Sequence, residues 1–171
     1  MRIDKKVLEG IMEAQQELDK AILESAGIFD YPLAEVIIAY NVELGELAQE
    51  WKGFKYWKKT KGEVDRSKLM EEYADCLHFA VSLTNHYIET SAASKRFLEA
   101  FLSTIKEIEE TKPVKERFIR CFDTDRHFEG GALLLIDTLR LGEGLGFTLE
   151  EIEEAYYYKN NINWERLRKG Y

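Results

Sequence analysis

The stretch VELGELAQEW, Val42 to Trp51, sets three carboxylates, Glu43, Glu46 and Glu50, at helical steps of three and four. Val42, Leu44 and Leu47 crowd them, so the segment also reads as helix core. Further on, Glu72 and Asp75 repeat the i,i+3 spacing in MEEYADCLHF, again among apolar residues: Leu69, Tyr73, Leu77 and Phe79. Isolated buried carboxylates are too costly to keep ionised, so something must neutralise them. Hard divalent cations prefer oxygen ligands, and Mg²⁺ combines a few carboxylates with waters and substrate phosphates. Four carboxylates from two core-type helices could hold two or more Mg²⁺ ions with a phosphate chain between them. The plain alternative is a solvated acidic face, since 33% of the chain is charged. Glu71, four residues before Asp75, competes with Glu72 as the ligand. A di-iron bundle would need two Glu-x-x-His motifs. Only Asp75-x-x-His78 comes close, because neither His86 nor His127 has an acid three residues before it.

Helices must position these groups. Asp4 to Glu24 carries most of an apolar stripe in Val7, Ile11, Leu18 and Ile22, and Gly27 ends it. A second helix starts at FDYPLAEV, with Pro32 in its first turn, and runs to Trp51 before Gly53. GFKYWKKTKGEVDRSK is a loop rich in lysine and aromatic residues. A third helix covers Lys68 to Glu89, and Ser94 caps a fourth that ends before Pro113. A fifth begins at Val114 and breaks around FEGG, and an apolar run, ALLLIDTLRL, ends at Gly142. Thr148 and Glu151 form a capping box for a long last helix. No segment alternates strictly enough for a strand, and no linker or repeat divides the chain. The expectation is one all-α domain over residues 1–171, a helical bundle with short connections.

Composition narrows the function. The chain has 171 residues, 45% of them apolar, which is enough for one real core. A net charge of −8 argues against non-specific nucleic-acid binding. No run of about 18 apolar residues occurs and MRIDKKVLEG has no signal-like core, so the expected setting is cytoplasmic, away from membranes. Cys76 and Cys121 are too few for a disulfide scaffold and read as reduced thiols.

VELGELAQEWKGFKYWK and EEYADCLHF together resemble the dimeric, all-α dUTPase family, part of the wider all-α NTP pyrophosphatase group that includes MazG-type enzymes. YYYKNNINWER is similar to that family's Tyr-x-x-Lys-Asn-x-x-Asn-x-x-Arg motif, so the likeness runs from the first helix nearly to the last residue. The resemblance implies that Glu43, Glu46, Glu72 and Asp75 are the Mg²⁺ ligands, which favours Glu72 over Glu71. It implies attack of a metal-activated water on dUTP, and on dUDP, with dUMP and pyrophosphate as products from dUTP and Glu43 as the general base. Gln15 resembles a glutamine that contacts uracil, with Gln16 as its competitor, and His78 and Phe79 occupy positions used around base and sugar. Trp57 is a candidate aromatic wall. Leu167 departs from the family, which often has glutamine after the motif arginine.

Lys159, Asn163 and Arg166 follow helical steps of four and three, so a continuing helix puts them on one face as phosphate donors opposite the metals. Asn160 lies about 100° away and could reach the sugar. Lys52 to Lys61, interleaved with aromatics, are an alternative source of phosphate-binding amines. GEGLG, Gly142 to Gly146, has no preceding strand and is a helix stop, not a dinucleotide loop. Glu107, Glu109 and Glu110 read as a solvated face. Ala132 to Leu141 carries more apolar surface than one stripe needs, so a homodimer is expected, as the resemblance also implies. The competing functions are a pyrophosphatase acting on dCTP or on NTPs broadly, and a non-catalytic helical regulator.

Overall fold

The computed structural model describes residues 1–108, 112–123 and 131–170. Among them are seven helices: α1 (Lys5–Ala26), α2 (Leu33–Trp51), α3 (Arg66–Thr90), α4 (Ala92–Thr104), α5 (Val114–Phe122), α6 (Gly131–Gly144) and α7 (Leu149–Arg168). No strand occurs among the described residues; Arg2 and Glu107 form one isolated bridge. The architecture is all-α, as its periodicities require. The break expected at FEGG falls mainly on residues 128–130, outside the described residues, as do Glu109, Glu110 and His127.

α3 is the axis of the bundle. It packs against α1, α2, α4, α6 and α7, and its burial is nearly all-round from Tyr73 to Asn85. α2 buries Ile37, Tyr40, Leu44 and Leu47, one stripe at steps of three and four, against it. Two tyrosines hold these helices to α6. The Tyr73 hydroxyl donates to the Thr138 carbonyl at 3.1 Å, and the Tyr40 hydroxyl shares a 3.2 Å hydrogen bond with Thr138 Oγ1. Buried hydroxyls need such partners, and here the partners tie the two carboxylate-bearing helices to a common third.

Local chemistry sets the helix ends. Asp4 caps α1 by accepting from Lys6 N–H, and Gly27 closes it in the left-handed region at φ 66°, where a side chain would be strained. Pro32 stands at the N-cap of α2, one residue outside the first turn in which the sequence suggested it. α4 is capped by Ser91, which accepts from Ser94 N–H, so the expected cap at Ser94 is corrected to the residue three earlier. Thr148 and Glu151 do form the capping box of α7. Glu151 also takes both its oxygens to Arg66 Nη2, at 2.8 and 2.9 Å, fastening the start of α7 to the start of α3.

The apolar excess of α6 has a different explanation from the one expected. Leu134, Leu135, Ile136, Leu139 and Leu141 are each at most 2% exposed within the single chain, because α6 lies among α3, α4 and α5. Exposed apolar side chains sit elsewhere: Ile38 and Val42 on α2, Ile119 on α5.

Candidate active site

α2 and α3 bring Glu43, Glu46 and Glu72 together, each offering a carboxylate oxygen within 4.8 Å of the others. Leu44 and Leu47 anchor one helix in the core and Tyr73 the other, so the acids emerge at the edge of the packed seam, half-buried at Glu43 and Glu72 and exposed at Glu46. Glu71 stays exposed and outside this group, which Glu72 joins. Asp75 lies one turn on. It is near enough to act on Glu43 but outside the close triplet, and its Oδ2 makes a 2.7 Å ion pair with Lys159 on α7.

The cluster holds protons tightly. Partial burial pushes the Glu43 carboxyl up to about 7, and the charges of Asp75, Glu46 and Glu72 push the same way against Lys159. Glu72 is raised by burial and by its acidic neighbours. Asp75 is raised by burial although Lys159 opposes it. These are the electrostatics of a site short of positive charge.

Beside the acids lies a cavity of about 290 Å³. Glu43 and Asp75 stand at one side, with Gln15, His78, Phe79, Asn163 and Arg166 around it and Leu18, Ile22 and Val36 as apolar wall. The two adjacent glutamines are placed differently. Gln15 occupies a core step of α1, in line with Leu8, Ile11 and Leu18, whereas Gln16 is exposed and hydrogen-bonds Glu89. His78 stacks on Tyr156 at 4.3 Å and meets the Tyr156 carbonyl through Nε2 at 3.2 Å. That partner requires the proton on Nε2, and burial lowers the ring to about 4, so His78 is neutral with Nδ1 as an acceptor. Nδ1 is buried without a hydrogen bond among the described residues.

Lys159, Asn163 and Arg166 share the α7 face turned to the acids, as the spacing suggested. Asn160 does not line the cavity. It is buried and directs Nδ2 to the Tyr156 hydroxyl at 3.5 Å. Trp57 is not brought to the cavity either. It lies 60% exposed in the loop after α2, edge-on to Phe54 and Tyr56. Three of the loop lysines, Lys52, Lys55 and Lys61, turn back to carbonyls of Glu63, Gln49 and Gly53, which folds the loop on itself.

Three polar residues lining the cavity escaped the sequence reading: Asp19, Tyr31 and Ser82. Asp19 is lifted to about 6 by burial, against hydrogen bonds from Ser82 and Gln15. The signal for two of them was present. Ser82 extends the face of Asp75, His78 and Phe79 by one turn, and Asp19 extends that of Gln15 by one turn.

Carboxylates gathered on two helices, a third helix bringing lysine, asparagine and arginine to their edge, and a small cavity with amide and imidazole walls make up the candidate site of this all-α chain. The sequence profile of the dUTPase family matches residues 7–171, and the chain belongs to that family. It is accordingly a hydrolase acting on the phosphoanhydride bonds of dUTP. No match was found among curated proteins. No helix among the described residues is long and apolar enough to cross a membrane.

Proposed function

We propose that the protein is a divalent-cation-dependent dUTP diphosphatase that releases dUMP and pyrophosphate and also accepts dUDP. The observation that carries this is the Glu43–Glu46–Glu72 triplet, with Asp75 beside it, where Glu43 and Asp75 line the cavity. The donor set is all carboxylate oxygen, and burial together with mutual repulsion raises Glu43 and Glu72, which a cation would offset. Glu43, Glu46, Glu72 and Asp75 would hold two or more Mg²⁺ ions, which supply Lewis acidity toward the phosphate chain and toward water.

The chain's own residues do the rest. Glu43 is the general base: its carboxylate takes the proton of the attacking water. Arg166 offers a planar fork and Asn163 an amide to the outer phosphate oxygens. Lys159, paired with Asp75, brings a positive charge to the same edge. Gln15 addresses the base, Phe79 packs against the sugar, and His78 Nδ1 accepts a hydrogen bond from a sugar hydroxyl. Close walls around base and sugar disfavour the methyl of dTTP and the 2′-hydroxyl of UTP.

A homodimer in the cytoplasm is part of this proposal. α2 and α5 pack together and expose Ile38 at 63%, Val42 at 52% and Ile119 at 68%, an apolar surface that a second copy would cover. The test of the site is titration calorimetry with Mg²⁺ alongside dUTP hydrolysis. Glu46→Gln and Glu72→Gln are each expected to lose cation binding and activity together, while retaining wild-type helical content. Wild-type Mg²⁺ affinity in both variants would remove the assignment.

A further inference from the structure

Both ends of the Gln15 amide are engaged. Nε2 donates to Asp19 Oδ1 at 2.7 Å, and Oε1 accepts from the Tyr156 hydroxyl at 2.9 Å. Asn160 Nδ2 approaches that hydroxyl at 3.5 Å, which leaves the hydroxyl hydrogen for Gln15. On the far side Asp19 accepts from Ser82, whose hydroxyl is also 2.7 Å from that of Tyr31. Gln15, Tyr156 and Asn160 are all at most 6% exposed, so solvent does not offer substitutes for these partners. Turning the amide over would set its oxygen against a carboxylate, acceptor to acceptor, and its NH₂ against a hydroxyl already approached by a donor. The bonds in place leave one amide hydrogen and one lone pair of Gln15, in fixed order, at the cavity wall.

We propose that Asp19 and Tyr156 act as positioning residues that lock the Gln15 amide in the orientation that pairs with uracil and mispairs with cytosine. The inference rests on the reading of the cavity as the base site. Uracil presents a donor at N3–H flanked by carbonyl acceptors. Cytosine presents an acceptor at N3 and a donor at the exocyclic amine. An amide of fixed order that gives N–H to a carbonyl and takes N3–H with its oxygen satisfies uracil. Against cytosine the same amide opposes its oxygen to a lone pair at N3. A freely turning amide would accept either base and discriminate little. Rejection by mismatched buried polar groups is far stronger than rejection by fit alone. Asp19 serves because it offers only acceptors when ionised, and at about 6 it is mainly ionised at neutral pH.

The experiment compares kcat/KM for dUTP and dCTP in the wild type, Asp19→Asn, Asp19→Glu and Tyr156→Phe, with dUMP and dCMP affinities measured by calorimetry. Asparagine can present either an oxygen or an NH₂ to Gln15, so it unlocks the amide without changing shape. Asp19→Asn is expected to reduce the dUTP/dCTP preference about tenfold or more. The change should come from a higher KM for dUTP and faster dCTP turnover, and the dUMP and dCMP affinities should converge. Tyr156→Phe should move the ratio in the same direction, and it carries the test if melting shows Asp19→Asn to be unfolded. Asp19→Glu, which keeps the acceptor, should retain most of the preference. Equal slowing of both substrates at an unchanged ratio would show Asp19 and Tyr156 to be structural only and overturn the lock. A wild type with no preference between dUTP and dCTP would instead overturn the base-site reading itself, and the lock with it.

Discussion

A half-buried carboxylate among other carboxylates binds its proton more tightly in the folded chain than in the unfolded one, and at Glu43 this makes a pH prediction. The folded group titrates at about 7 against an ordinary 4.5, so the stability tied to its protonation is present at low pH and is lost as pH rises through that window. In EDTA, Glu43→Gln should therefore melt above the wild type, by a gap that opens between about pH 5 and 7.5 and then levels. Saturating Mg²⁺ should reverse the order, since a ligand that binds only the folded wild type stabilises it. A melting difference independent of pH would show that the cluster does not strain the metal-free protein. Glu72→Gln should lower kcat on dUTP by about 10²- to 10³-fold, the scale seen when one preorganised electrostatic contact to a reacting centre is lost. At this scale much was legible in the sequence, because Glu43, Glu46, Glu72 and Asp75 stand at steps of three between apolar residues. Gln15 was named from its resemblance to a family glutamine, and no local spacing separated it from Gln16. Tyr156 opens the YYYKNNINWER motif, but its partner was not legible, since its hydroxyl acts on a glutamine 141 positions away and no local spacing records that. Trp57 read as a wall from its neighbours in FKYWK, yet nothing in those neighbours says which way a loop turns.

At the scale of the elements, the acids meet only if α2 and α3 keep their register, and Tyr40, Tyr73 and Thr138 hold it. Gly142 on α6 makes this possible. A Cβ there would come within 2.6 Å of the Tyr73 hydroxyl and 2.7 Å of its ring, with the buried ring unable to withdraw. Gly142→Ala is predicted to destabilise the protein by about 1–3 kcal/mol, as overpacking does. Activity should fall as well, because the displaced ring is next in sequence to Glu72. Thermal melting with a dUTP assay checks both, and an unshifted melt would mean that the contact relaxes freely. Most of these elements followed from periodicity and caps, such as the Thr148–Glu151 box. Ser94 misled as a cap because the turn from α3 to α4 is so short that Ser91 both ends one helix and starts the next. The excess apolar character of α6 was visible, but whether a helix is covered by its own chain or by another copy depends on tertiary neighbours that its sequence does not name.

For the whole molecule, the exposed Ile38, Val42 and Ile119 predict a dimer, seen by light scattering as about 40 kDa, twice the 20.0 kDa chain. Ile38→Glu with Ile119→Glu should shift it toward the monomer, and a wild type near 20.0 kDa at micromolar concentration would refute the assembly. Deleting everything after Tyr158 removes Lys159, Asn163 and Arg166 from the edge of the acids, and should leave Mg²⁺ binding while dUTP hydrolysis becomes very slow. Near-normal kcat/KM in that truncation would move the phosphate contacts elsewhere. The central claim, that an acid cluster on α2 and α3 hydrolyses dUTP through bound cations, is met most directly by product analysis of dUTP incubated with the purified protein in Mg²⁺ and in EDTA, with Glu72→Gln alongside. The account predicts dUMP and pyrophosphate in Mg²⁺, and almost none in EDTA or with the variant. Undiminished release of dUMP in EDTA, or from Glu72→Gln in Mg²⁺, would contradict it.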